Sequence, residues 1–165
     1  MTKGMSLGAA TIVAALVAMT APAPARANAR ISGLVDVNYG TIANFADQTI
    51  SQNVCVYSVT GNSSNRRPYS VLATGNGSAG AFTLQSGART LPYEVRWNDA
   101  ADQTSGTQLT NGVNASGFLT GNVNLSCSNG ANNNASLVVT ITGTSLATAT
   151  AGTYTGVLTI VITPN

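Results

Sequence analysis

The strongest constraint on the fold is the alternation that runs from Thr153 to Thr163. Its even positions are Tyr154, Gly156, Leu158, Ile160 and Ile162, while the odd positions hold only Thr and Val. A period of two belongs to a β-strand, whose successive side chains point to opposite faces. One face of this strand therefore packs on a core, and the other meets solvent or a neighbour. Ile31–Tyr39 repeats the pattern, with apolar odd positions apart from Gly33. Shorter runs of the same kind are Asn53–Tyr57, Tyr69–Thr74, Tyr93–Trp97, Val123–Cys127 and Leu137–Ile141. Between them stand Gly61–Asn65, Gly75–Gly77, Asn111-Gly112 and Asn129–Asn134, rich in residues that accept positive φ. Only Ser145–Thr150, made of Ala, Thr, Ser and Leu, reads as a short helical turn. The expectation is a single all-β domain of about seven or eight strands, a sandwich or barrel.

The N-terminal stretch stands outside that pattern. Lys3 precedes an apolar run, Leu7–Met19, which falls short of the roughly 20 residues a membrane-spanning helix needs. Pro22 and Pro24 break it, and Ala25-Arg26-Ala27 has the small-x-small form that signal peptidase reads. Residues 1–27 are thus expected to be a signal peptide, and residues 28–165 an exported β-domain that is not embedded in a membrane. Ala29 closes a second Ala-x-Ala triplet. Cleavage removes Lys3 and Arg26, so five arginines face five acidic residues and the mature charge is zero. So few charges give no counterion-release drive toward nucleic acid and little protection against self-association. The two cysteines, Cys55 and Cys127, read as one disulfide in an exported chain.

Little in the chain carries chemistry. There is no histidine, which removes the commonest general base and metal ligand. Glu94 is the only glutamate and has no partner carboxylate at a spacing suited to acid–base work. Asp99 and Asp102 sit in Asn98–Asp102, where a solvated turn accounts for them better than a calcium site. Gly75–Gly80 lacks the Lys-Ser/Thr of a phosphate-cradling loop, and Arg66-Arg67 reads as a solvated loop tip. No catalytic residue, cofactor or metal site is expected. The sole Trp, Trp97, faces the same way as Tyr93 and Val95. It could stack on a sugar in a ligand groove, although such a residue more often fills a sandwich core.

Several of these segments together resemble the spore coat protein U domain, the fold of archaic chaperone–usher pilus subunits. The similar segments are Ala151–Pro164, Val37–Thr41, the Val-Cys-Val strand around Cys55, and Tyr93–Asp99. The resemblance implies an immunoglobulin-like β-sandwich that lacks its final strand, so that Tyr154, Leu158, Ile160 and Ile162 border an open apolar groove. It also implies donor-strand complementation: a periplasmic chaperone lends a strand, which the next subunit replaces at an outer-membrane usher. The expected product is a surface fibre of a Gram-negative bacterium, exported through the periplasm and serving adhesion or biofilm formation. Two features depart from the family. Ile31–Tyr39 has no cysteine, and only a short stretch separates the expected cleavage site from Ile31. Ile31–Tyr39 thus reads either as the first strand or as a donor strand, and a relative that never polymerises remains a third reading. With Thr153–Thr163 so near Asn165, the edge beside that strand is expected to stay uncovered. The alternative function is a secreted, self-folding, lectin-like binding module that uses Trp97 and the Asn-rich loops.

Overall fold

The structure, a computed structural model, describes residues 27–60, 68–119, 127 and 133–165. Residues 1–26 of the expected signal peptide, the Arg66-Arg67 pair and most of the Val123–Cys127 run lie outside these residues.

Strands dominate because β-branched and hydroxyl residues alternate along nearly every segment. In chain order the elements are β1 Ala27–Ser32, β2 Gln48–Thr60, β3 Pro68–Gly75, β4 Thr83–Ser86, β5 Arg89–Pro92, β6 Glu94–Asn98, β7 Thr107–Gln108, β8 Asn114–Leu119, β9 Ala135–Ile141, a short helix α1 Gly143–Thr148, and β10 Leu158–Pro164. A five-stranded sheet has the order β1-β2-β9-β6-β7, and a three-stranded sheet the order β10-β3-β8. β4 and β5 form a separate hairpin. Every pairing is antiparallel, which makes the chain an all-β immunoglobulin-like sandwich.

The core lies between the two larger sheets. β3 contributes Tyr69, Val71 and Ala73, β6 contributes Val95 and Trp97, and β2 contributes Val54 and Val56, all fully enclosed. β6 alternates as its sequence demands, with Glu94 and Arg96 turned outward and joined by a 2.9 Å ion pair. β9 is buried on both faces instead. The loop after β6 covers its outer side: Ser136 Oγ donates to Ala100 O at 2.9 Å and accepts from Gln103 N at 3.1 Å.

Two differences from the sequence reading have local causes. The first strand is not Ile31–Tyr39 but Ala27–Ser32, paired with β2 from Ala27↔Thr60 to Ser32↔Cys55. Gly33 ends it by adopting a φ of +88°, a conformation that turns the chain off the ladder. The last strand begins at Leu158 rather than Thr153, because β3 has ended by Gly75, the partner of Leu158. Upstream, Thr155 bridges Gln85 and Val157 N donates to Asn76 Oδ1, so these residues follow the β4 edge. β4, β5, β7 and β8 were not anticipated, and the strand segments number ten among the described residues. The helical turn does form, capped by Thr142, whose hydroxyl accepts from Ser145 N at 3.2 Å, and anchored by buried Leu146.

Cys55 and Cys127 are joined in a disulfide, with both residues buried. Nearby, Asn134 imitates a strand neighbour of Val56, accepting from its N–H and donating to its carbonyl, each at 2.8 Å.

Candidate functional site: the uncovered edge of β10

β10 is an edge strand. It pairs with β3 along its whole length, from Leu158↔Gly75 to Pro164↔Tyr69. Among the described residues no strand pairs with its other side. Every second N–H and C=O on that side is thus available to an added strand. The inward residues Leu158, Ile160 and Ile162 are half-buried and pack on the core. Thr159, Val161 and Thr163 point outward, with Val161 45% exposed. Tyr154 also packs on the core but lies before the strand, its hydroxyl donating to Thr150 O at 2.8 Å. Of the sequence-derived edge residues, Leu158, Ile160 and Ile162 thus share the inward face of β10, and Tyr154 lies outside the strand.

The opposite lip of the site belongs to the other sheet. β10 lies across from β1 and β2, and β1 is the edge strand of the five-stranded sheet. β1 covers β2 only from Cys55 onward, so among the described residues no strand lies on that side of Gln48–Val54. The stretch after β1 fills part of this space without joining a ladder. Val35 N donates to the Gln52 side chain at 2.9 Å, and Tyr39 carries its hydroxyl inward to Val139 O at 2.8 Å. Val37, Tyr39 and Ile42 all pack on the core. Burial, and secondarily the neighbouring Tyr93, raises the Tyr39 phenol well above its ordinary acidity range, so it is a neutral donor. The alternation of Ile31–Tyr39 signalled this segment, and its one exception, Gly33, is where the path changes.

The other sequence candidates resolve differently. Trp97 has no exposed surface, and its Nε1 donates to Tyr69 Oη at 3.0 Å inside the core. The ligand-groove reading of Trp97 is corrected on this ground, since a ring enclosed on all sides offers no face to a sugar. Asp99 and Asp102 serve the protein: Asp99 accepts from Leu119 N at 2.9 Å, and Asp102 from the Asn53 side chain at 2.6 Å. Among the described residues no three His, Cys, Asp or Glu side chains gather as a metal site. No helix of the described residues is long and apolar enough to cross a membrane.

The fold has counterparts among solved structures. No protein-family model matches the chain, and no curated protein matches it in sequence. A chain from a chaperone–tip adhesin complex involved in biogenesis of CFA/I fimbriae aligns with a TM-score of 0.51 and 20% identity, over 84% of this chain and 43% of that one. A chain of the CsuC–CsuE chaperone–tip adhesion subunit pre-assembly complex, from the archaic chaperone–usher Csu pili of Acinetobacter baumannii, aligns at 21% identity with a TM-score of 0.42. That alignment covers 84% of this chain and 40% of the other. This chain spans less than half the length of either similar chain, and the first alignment shows a shared fold.

Proposed function

We propose that this chain is a structural subunit of a bacterial surface fibre, assembled by adding a strand from another chain to the free edge of β10. One observation carries the reading: an apolar, half-buried edge strand, Leu158–Pro164, with no strand on its outer side among the described residues. An added strand would satisfy the free backbone groups of β10 and set alternate apolar side chains against Leu158, Ile160 and Ile162. The likeness to a chain of a fimbrial chaperone–adhesin complex supports the same reading. The partners are then a periplasmic chaperone, an outer-membrane usher and other subunits of the fibre. Residues 1–27 direct export, and the mature domain, residues 28–165, reaches the cell surface of a Gram-negative bacterium. There it serves adhesion or biofilm formation, with no catalytic role and no cofactor. The resemblance to the spore coat protein U family belongs to this proposal. The lectin-like alternative loses support with the burial of Trp97.

Thermal unfolding with and without a donor strand tests it. An alternating Ile/Thr strand is fused after Asn165 through a flexible linker. Each additional side chain of this size that it buries is worth about 1.5–3 kcal/mol. The fusion is expected to raise the melting temperature by several degrees. An unchanged melting temperature for a well-folded fusion sinks the proposal. N-terminal sequencing of the exported protein, expected to begin at Asn28, checks the processing site.

A further inference from the structure

We propose that β8, the other edge of the three-stranded sheet, is closed to strand addition by Asp99 and by a bulge at Ser116-Gly117, so that an incoming strand pairs with β10 alone. The proposal rests on the strand-addition reading only for the choice of β10 as the edge left open.

The order β10-β3-β8 leaves one side of β8 without a strand among the described residues. Asn114–Leu119 holds no charged residue, and Leu119 and the preceding Val113 are 45% and 53% exposed. An uncharged edge beside exposed apolar side chains is where unwanted pairing starts.

The directions of the backbone groups show what stands on that side. Asn165 N donates to Pro68 O at 3.0 Å, so the Pro68 carbonyl faces β10. Pro68 lies opposite Leu119 on β8. Antiparallel partners alternate between pairs that bond each other and pairs that face away, so Leu119 N turns to the free side of β8. There it donates to Asp99 Oδ2 at 2.9 Å, from the loop after β6. A carboxylate holds such an N–H more strongly than a neutral carbonyl does. A strand arriving at β8 has to take that N–H from Asp99 and bring its own carbonyl oxygens against the negative charge.

The second guard lies in the backbone. Tyr69 pairs with Phe118 and Val71 with Ala115, so Ser116 and Gly117 both stand opposite Ser70. Gly117 takes a φ of +94°, open to glycine and disfavoured for side chains. The extra residue bends the strand and breaks the even spacing of outward groups that a straight partner needs. β10 differs on both counts. Leu158–Pro164 pairs with β3 without a shift in register and holds no charged residue. Because Asn165 bonds to β3, the N–H groups of Ile162 and Ile160 alternate with it and face outward.

Two full-length mature variants test this, Asp99→Ala, and Asp99→Ala combined with deletion of Gly117, which leaves one residue opposite Ser70. A cooperative thermal transition reports that each is folded. The probe is a synthetic peptide of alternating isoleucine and threonine, with hydrogen exchange read at Leu119 on β8 and at Ile160 and Ile162 on β10. The wild type should take up one peptide, which slows Ile160 and Ile162 and leaves Leu119 unchanged. Without peptide, Asp99→Ala should exchange the Leu119 amide about tenfold faster than the wild type. The double variant should take up a second peptide that slows Leu119, and Asp99→Ala alone should take it up more weakly. Where the deletion prevents folding, Asp99→Ala alone decides. Peptide on β8 of the wild type, or a β8 edge that stays free of peptide in every folded variant, overturns the guard. Peptide on β8 of the variants, with none on β10 of any protein, keeps the guard and sinks strand addition at β10.

Discussion

The indole Nε1 of Trp97 donates a 3.0 Å hydrogen bond to the phenol oxygen of Tyr69, across the two sheets of the sandwich. Both side chains are fully enclosed, and Tyr69 also lies 5.7 Å from Phe118, ring centre to ring centre. The largest residue of the core is thereby fixed by a polar contact that neither strand specifies alone. Replacing Tyr69 by Phe leaves the indole N–H buried without a partner, at a cost of about 1–3 kcal/mol. Chemical denaturation should show that loss with little change in slope, and an unchanged midpoint would refute the contact.

Three buried phenols tie stability to high pH. Burial raises the pKa of Tyr69, Tyr39 and Tyr93 above the ordinary 10.0, so the fold favours their neutral forms. Their contribution is fully present below pH 10.0, where the unfolded phenols are neutral too. Above that pH the unfolded chain ionises first, and stability falls until the folded phenols ionise. Denaturation midpoints should be level in tyrosine's contribution below pH 10 and decline above it. A Tyr69→Phe protein should decline less steeply.

The two faces of β10 should respond oppositely to charge. Ile160 points inward and pairs with Ala73, whereas Val161 points outward and pairs with Leu72. Ile160→Asp places a carboxylate against the core and should abolish the cooperative thermal transition. Val161→Asp should change stability by no more than about 0.5 kcal/mol. Equal effects at the two positions would contradict the orientation of the strand.

The Cys55–Cys127 disulfide spans a sequence separation of 72 residues. A loop of that size is worth roughly 4 kcal/mol in the chain-entropy account. Reduction should lower the denaturation free energy by about that amount, and thiol labelling of the unreduced, denatured protein should find no free cysteine.

Gly33 joins β1 to the stretch that follows, and its φ of +88° is one that side chains disfavour. A Cβ there would meet only ordinary contacts, the nearest 3.4 Å away at Asn53 O. Gly33→Ala should therefore cost about 1–2 kcal/mol through backbone strain alone. A neutral result would mean that the chain leaves the ladder elsewhere.

The sequence by itself determined the class of this protein. Alternation in β3, β6 and β10 defined which side chains turn inward, because strand geometry imposes a period of two whatever the neighbours are. Export and an even cysteine count sufficed for the disulfide, and Thr, Ala and Ser before the last strand sufficed for a helical turn. The tertiary structure alone decided where strands begin and end. A strand lasts only as long as its partner, so β10 starts where β3 supplies Gly75, and the residues before it turn to Gln85. Ile31–Tyr39 alternates apart from Gly33, and at that residue the chain passes from a paired strand to an unpaired stretch. Trp97 could have faced a ligand or a core by its local pattern, and only the sheet stacked above it enclosed the ring. Periodicity records which way a side chain points; pairing and burial depend on residues far away in the chain.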